Sequence, residues 1–418
     1  MHYQLNDKFV IYFYGNDIYL YDTKNYYGYT RLNEVEGDIL LWINKLHDID
    51  QAWIELKKEY QIGVNEETQA KSLLFELISE WEKEGVLEEG TEERYIYGEY
   101  GKCYPLSISI ELTNKCNFRC THCYKEAGNE HKDFMEKSLF TRIMNDIRGK
   151  VYCVEITGGE ATLHPDLLEM VKSRSVQKLI LLTNGSKIST MNEELINYID
   201  GFQITLYGRN VEEYKRYAQT SNFEDVCNGI RRLVQMGKKL GIAIILRKSN
   251  IDYMEEYIEL LEKMGVRHIS FGLASPIGRN EGMKETDWNL SEEDCIRFDV
   301  IRDNLQNKYK DMHLGEFDWR ELRKTKNSQN LSYSFQCDAG TRNITVSEKG
   351  VVRPCIYMPE EYFGMVTWSE YIKMVSRGES VDYKDCILRC KADLEYQGKS
   401  IFSICEKAFR NDIDVEKH

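Results

Sequence analysis

Three cysteines in the run Glu111-Leu-Thr-Asn-Lys-Cys116-Asn-Phe-Arg-Cys120-Thr-His-Cys123 are spaced C-x3-C-x2-C. Thiolates are metal ligands, and a cubic iron–sulfur cluster ordinarily takes four of them. Three placed this close together, with no fourth nearby, leave one iron open to a different ligand. Structural zinc is the plain alternative, but it wants a closed set of four. The nearest other thiol, Cys103, lies on the far side of the apolar stretch that leads into the loop.

Short apolar runs alternate with amphipathic stretches after this loop, which positions the cysteines at the end of a strand. Strands are expected at Ser107–Leu112, Val151–Ile156, Lys178–Leu182, Phe202–Leu206, Gly241–Leu246 and His268–Gly272. Helices are expected between them at Glu136–Ile147, Asp166–Ser173, Asn192–Tyr198, Phe223–Met236 and Asp252–Met264. Strands rich in Ile, Leu and Val that alternate with helices imply a parallel sheet built from crossovers. Six such units predict an α/β fold, a partial (β/α)6 barrel, with its chemistry at the C-terminal ends of the strands.

Polar residues do gather at those ends. The second strand leads into Thr157-Gly158-Gly159-Glu160 and the third into Asn184-Gly185. The fourth carries Thr205-Leu206-Tyr207-Gly208, the fifth leads into Arg247-Lys248-Ser249-Asn250, and the sixth into Ser275-Pro276-Ile277-Gly278-Arg279. Singly these are weak signals, since Gly-Gly and Asn-Gly are common turns. A co-aligned polar ring capped by a cysteine triplet is far more specific.

The triplet, the Thr157-Gly158-Gly159-Glu160 segment and the six-strand register together resemble the radical S-adenosylmethionine (SAM) superfamily over residues 104–310. The resemblance implies a [4Fe–4S] cluster on Cys116, Cys120 and Cys123, with SAM chelating the open iron. It implies contacts from Gly158, Gly159 and Glu160 to the SAM amino group. It also puts Asn184 beside the cofactor, Thr205 and Tyr207 near the ribose, and Arg247 near the carboxylate. Ala161 stands where the family usually has proline. Cleavage of the sulfonium then yields a 5′-deoxyadenosyl radical, and a flavodoxin- or ferredoxin-type partner is the expected reductant. The cofactor supplies the hard chemistry and the protein aligns the reactants.

The remaining cysteines divide into two groups. Cys103, Cys153, Cys227 and Cys295 are scattered through expected strands and helices and read as ordinary buried thiols. Cys337, Cys355, Cys386, Cys390 and Cys405 cluster near the C-terminus. Cys337, Gly350 and Cys355 resemble the opening of the auxiliary-cluster extensions called SPASM or twitch domains, which implies at least one auxiliary iron–sulfur cluster within residues 330–418. A full SPASM set has seven cysteines; here there are five, and Cys386-x3-Cys390 replaces C-x2-C. One fully ligated cluster is the simpler arrangement, and two with incomplete ligation is the other. A disulfide-stapled tail does not suit a chain without an export signal, which is expected in the reducing cytosol.

Residues 1–96 have their own plan. Phe9–Tyr14 and Ile18–Tyr21 are aromatic-rich strands joined at a hairpin turn, with a third at Tyr26–Arg31. Helices follow near Glu34–Leu46, Asp50–Tyr60 and Glu66–Glu84, the last with Leu74, Leu77, Ile78 and Trp81 as core positions. This winged-helix-like unit resembles the recognition element of enzymes that modify ribosomally made peptides, most closely at Tyr29-Thr-Arg-Leu32-Asn33. The chain's formal charge is −14, and residues 1–96 hold 9 Lys and Arg against 20 Asp and Glu. That balance argues against nucleic acid as a partner, and no window is apolar enough for a membrane span.

The three parts combine into an expected function. The first module would bind a precursor peptide through its leader, and the barrel would install an intramolecular thioether between a cysteine sulfur and a carbon. Carbon–carbon cross-linking or epimerisation of a peptide is the alternative, as is a small-molecule enzyme of the tetrapyrrole type. A non-enzymatic iron–sulfur or zinc redox sensor would leave Gly158-Gly159-Glu160 without a job. No general base stands out; Glu155, Glu281 and Asp338 are the candidates.

Overall fold

A computed structural model describes residues 2–23, 29–274, 278–280, 287–288, 290–315, 340–356 and 366–379. The chain divides into two compact units. The first comprises residues 1–106 with the short segments 149–151 and 373–380.

In the first unit, strands β1 (Tyr3–Leu5), β2 (Phe9–Tyr14), β3 (Asp17–Asp22) and β4 (Tyr29–Leu32) precede helices α1 (Glu34–Leu46), α2 (Ile49–Glu59) and α3 (Glu67–Lys83). Two short strands follow, β5 (Leu87–Glu89) and β6 (Ile96–Tyr97). Helix α1 starts where it does because Asn33 and Glu36 form a reciprocal cap, each side chain accepting the other's backbone N–H at 2.9 Å. Its inner stripe, Ile39, Leu40 and Ile43, packs with Trp53 and Leu56 of α2, Leu74, Ile78 and Trp81 of α3, and Ile11, Ile18 and Leu20 of the sheet. Leu77 is only partly buried, and Leu73 is 58% exposed.

The helices match their expected spans to within a residue or two, but the sheet is larger than three strands. Its order is β4-β3-β2-β6, and β1 pairs separately with β5. The extra strands are two or three residues long and pair across about eighty positions, so local alternation carries no sign of them.

The second unit contains the parallel sheet. Its strands are β7 (Ser107–Glu111), β8 (Cys153–Thr157), β9 (Lys178–Thr183), β10 (Gly201–Leu206), β11 (Lys239–Leu246) and β12 (His268–Leu273). Helices α4 (Lys137–Asp146), α5 (Leu167–Lys172), α6 (Glu193–Tyr198), α7 (Val211–Tyr217), α8 (Phe223–Gln235), α9 (Lys248–Ile251) and α10 (Met254–Lys263) alternate with them. Beyond α11 (Glu292–Lys308), the chain adds β13 (His313–Leu314), β14 (Asn343–Val346) and β15 (Val352–Arg353). The α/β class, the parallel winding and the six strands β7–β12 stand as expected, and three further short strands extend the sheet at its edges. The observed order is β13-β12-β11-β10-β9-β8-β7-β14-β15, parallel throughout except for the last pair. Residues 343–353 therefore join the barrel sheet, although the spacing of Cys337 and Cys355 suggests a separate hairpin.

Strand alternation sorts the two faces of this sheet. Val154, Ile156, Leu179, Leu181, Ile204, Ile242 and Ile244 are sealed from water, as are Phe140, Met144, Ile230, Leu233 and Leu261 of the helices. The opposite face carries polar groups, among them Ser109, Glu111, Glu155 and Thr205. Burial of aliphatic side chains on the helix side, at ~1.5–3 kcal/mol each, fixes which strand residues must face the other way.

In the first unit, Ile43→Ala leaves a cavity at a fully buried position. The expected cost is about 2–5 kcal/mol, read as reduced amide-exchange protection across α1–α3.

Candidate functional site

The end of β7 and the end of β8 are bound together through backbone. Leu112 N donates to Thr157 O at 3.0 Å, Gly159 N to Thr113 O at 2.6 Å, and Glu160 N to Lys115 O at 2.8 Å. Gly158 has φ +133°, and a Cβ there would sit 2.5 Å from Thr113 O. A Cβ on Gly159 would meet the carbonyls of Asn114 and Lys115, the first at 2.8 Å. Only glycine permits this approach, so the pair has a packing role that its family resemblance alone does not reveal.

The cysteine loop is then pinned from several sides. Cys116 N donates to Gly128 O at 3.0 Å, while Arg119 N and Thr121 N donate to the carbonyls of Ala218 and Tyr217 at the end of α7. Arg279 reaches in from beyond β12: its Nε donates to Cys120 O at 2.8 Å and its Nη2 to Ala127 O at 2.7 Å. Gly278, at φ +60°, allows that turn to lie against the carbonyls of Cys123 and Tyr124.

Cys116 and Cys120 are buried, and Cys123 is partly exposed. Burial pushes the Cys116 thiol up to about 12, with the Glu160 charge and Cys123 adding to it. Cys120 is raised as well, by burial first and then by its two neighbouring thiols. Metal binding demands thiolates, so a positively charged iron centre would have to offset that rise. Donors already face the sulfurs: Phe118 N lies 3.4 Å and Asn184 Nδ2 3.9 Å from Cys116 Sγ, and the Tyr207 hydroxyl bonds to Cys120. Among the described residues no three His, Cys, Asp or Glu side chains converge on one ion-sized centre. A cube spreads its thiolates over separate irons, and the three cysteines fit that group.

Glu160 is fully buried. Its Oε1 accepts from Thr162 N at 3.1 Å, Thr162 Oγ1 and Thr183 Oγ1 at 2.7 Å, and its Oε2 accepts from Asn184 N at 2.7 Å. Three of these donors share Oε1 and only one meets Oε2, so one of the two lone-pair sites on Oε2 remains for a ligand ammonium. Burial raises the Glu160 pKa, and these four donors work against that rise. Asn184 continues the chain of bonds: its Nδ2 donates to Asn117 Oδ1 at 2.9 Å, and its Oδ1 accepts from Ser186 N and Oγ.

Of the three residues assigned on the later strands, two are enclosed by protein. Arg247 is 1% exposed and walled in. Its Nη1 donates to Tyr207 O at 3.0 Å, its Nη2 to Tyr257 and Glu213, and its guanidinium lies 3.7 Å from the Tyr217 ring centre. A buried guanidinium needs this many partners, and the sequence gave no sign of Glu213 or Tyr257. Tyr207 directs its hydroxyl at Cys120 rather than at a ribose position. Thr205 lies half-exposed on the inner face beside Ala243 of β11, and it alone of the three is open to a ligand.

His122 escaped the sequence reading. It stacks 4.2 Å from Trp288 and 5.6 Å from Tyr207, and burial with Arg247 and Arg279 nearby lowers its pKa to about 3, which keeps it neutral. Its place between two cysteine ligands was the available signal. Among the general-base candidates, Glu155 accepts from Ser109 Oγ at 3.0 Å. Glu281 and Asp338 lie outside the described residues, as do Cys337, Cys386, Cys390 and Cys405. Cys355 is partly exposed, and the side chains of Cys103, Cys153, Cys227 and Cys295 are buried.

Residues 110–261 match the Radical SAM superfamily. This segment is a radical SAM domain. The chain is 24% identical over 267 residues to the antilisterial bacteriocin subtilosin biosynthesis protein AlbA of Bacillus subtilis (strain 168), covering 62% of this chain and 56% of AlbA. It is 25% identical over 327 residues to the sporulation killing factor maturation protein SkfB of the same organism, covering 76% and 75%. The chain thus spans just over half of AlbA and three quarters of SkfB. Streptococcus suis SuiB bound to precursor peptide SuiA shares the fold, at TM-score 0.61 and 14% identity over 87% of this chain and 85% of SuiB.

As a radical SAM domain, the site takes a [4Fe–4S] cluster and SAM. Gly159→Ala is expected to push the loop off the strand ends and prevent cluster assembly. Iron content after anaerobic reconstitution should fall toward zero, with the helical circular dichroism retained.

Proposed function

We propose that the chain is a radical SAM maturase that binds a ribosomally made precursor peptide and closes a thioether between a cysteine sulfur and a carbon. The observation that carries this is the three-cysteine loop bound to a Gly-Gly-Glu turn, in a chain that aligns over three quarters of its length with a peptide-maturation protein. SuiB, whose fold it shares, binds the precursor peptide SuiA.

When bound, the cluster and SAM supply one-electron cleavage of a sulfonium and the hydrogen-abstracting power that follows. The chain's own residues hold and orient. Cys116, Cys120 and Cys123 ligate three irons, and Asn184, Phe118 and Tyr207 direct hydrogen bonds at the sulfurs, which adjusts how readily the cluster accepts an electron. Gly158, Gly159 and Glu160 offer the remaining acceptors to the SAM ammonium, and Thr205 offers a hydroxyl. Forming the carbon–sulfur bond removes one hydrogen atom from the carbon, one proton from the thiol and one electron. Cys337, Cys355 and two of Cys386, Cys390 and Cys405 would hold an auxiliary iron–sulfur cluster, which would supply an acceptor for that electron. A flavodoxin- or ferredoxin-type donor reduces the SAM-binding cluster.

The leader docks on the first unit. Strand β4 stands at the end of its sheet with β3 as its sole partner among the described strands. An extended peptide can add to such an edge through main-chain hydrogen bonds, with side-chain pockets setting specificity.

The test is an anaerobic reaction of reconstituted enzyme, SAM, dithionite and the synthetic peptide of the short cysteine-bearing reading frame beside its gene. The product should be lighter by two hydrogen atoms and resist thiol alkylation, and 5′-deoxyadenosine should accumulate. Cys120→Ala should abolish both products. A peptide of unchanged mass carrying one solvent deuterium would replace cross-linking with epimerisation.

A further inference from the structure

A buried ionic group on the inner face of the second unit is not used by the chemistry above. Glu111, the last residue of β7, is 0% exposed. Lys125 Nζ lies 2.6 Å from its Oε2, and Arg353 of β15 bonds to that same oxygen. The other oxygen, Oε1, is buried with no hydrogen-bond partner. Nearby, Thr345 Oγ1 is also buried without one.

Register places these groups together. Thr345 pairs with Ser109 on one side and Arg353 on the other, and Glu111 follows Ser109 by two residues, so all four share one face. Glu111 also pairs with Thr157, the residue before Gly158-Gly159. Lys125 lies two residues beyond Cys123. The orphaned oxygen is therefore at the strand end where the reactants meet. An ion-paired carboxylate only accepts hydrogen bonds, and leaving a buried acceptor unmet is unfavourable. What the site lacks is a donor, and the surplus cation beside it also suits a group that brings negative charge.

We propose that Glu111 Oε1 is the receptor for an N–H donor of a bound reactant. That donor is a backbone amide of the substrate peptide, whose carbonyl Thr345 Oγ1 would meet, since Gly158, Gly159 and Glu160 already serve the SAM ammonium; this assignment rests on the peptide-maturase reading.

The test uses iron-loaded full-length chain with Glu111→Gln, which turns the acceptor edge toward an amide. The double variant Glu111→Gln with Lys125→Met removes one cation as well, so that buried charge does not prevent folding. SAM affinity is measured by anaerobic equilibrium dialysis without reductant, and peptide affinity with the same synthetic peptide by fluorescence anisotropy. An unchanged SAM constant with a peptide constant raised about tenfold or more identifies Glu111 as the receptor of the amide. A SAM constant raised by as much overturns the proposal, since Glu111 then serves SAM. Both constants unchanged, with iron content and the cluster's electron paramagnetic resonance signal intact, overturn it as well. Failure of both variants to load iron also overturns it, since Glu111 is then a scaffold. A wild-type chain that binds no peptide defeats the maturase reading, whereas wild-type binding that Glu111→Gln leaves unchanged defeats the role of Glu111 alone.

Discussion

Backbone contact between two adjacent strand ends underlies the rest of the site. Thr113, Asn114 and Lys115 leave β7 with their carbonyls turned toward Gly158-Gly159-Glu160, and two hydrogen bonds close the gap. The cysteine loop begins one residue later, so its starting point is fixed by the turn after the neighbouring strand. Any side chain at Gly158 or Gly159 would occupy the space those carbonyls need. The motif that contacts SAM in the superfamily is thus also the wall against which the thiol-bearing loop is built. Ligand contact and loop placement cannot be altered separately at these two residues.

A run of buried polar bonds carries this order across the strand ends. Glu160 binds Thr183 and Asn184 at the end of β9, and Asn184 binds Asn117 and faces Cys116. On the far side, Tyr207 faces Cys120 while its carbonyl takes a bond from Arg247, which is held by Glu213 and Tyr257. A buried network of this density resists rearrangement, because each broken bond exposes a desolvated partner. The network therefore presets where the sulfurs stand before any iron arrives. Burial also holds the thiols protonated near neutral pH. Loading iron must displace those protons, which makes assembly dependent on pH and gives a large share of the loop's final stability to the metal.

How much of this was legible in the sequence depended on the range of the contact that decides it. Cysteine spacing, the Gly-Gly-Glu turn and the amphipathic stripes of α1–α3 and α8 are local patterns, and each was read at its place. The surroundings of Arg247 and Tyr207 were not legible because strand position identifies only which end of a sheet a residue occupies. It does not reveal whether partners such as Glu213 enclose it. Strand β14 was missed as part of the barrel sheet because its partner, β7, precedes it by more than two hundred residues. Glu111 was passed over for the same reason: Arg353, which makes it an ionic site, arrives from the other end of the chain.

That last pairing has a structural consequence for the C-terminal segment. With β14 parallel to β7 and β15 antiparallel to β14, Arg353 returns to the strand that launches the cysteine loop, and Cys355 follows two residues later. Separating Arg353 from Glu111 would deprive a buried guanidinium of a charge partner and leave Glu111 to Lys125, which is unfavourable even though making such a pair contributes little net stability. The ion pair therefore serves to specify position. It sets the chain entering Cys355 against the same strand end that precedes Cys116. A cysteine-rich tail attached only by a linker would have no such constraint, and electron transfer between two metal centres depends steeply on how closely their ligands are held.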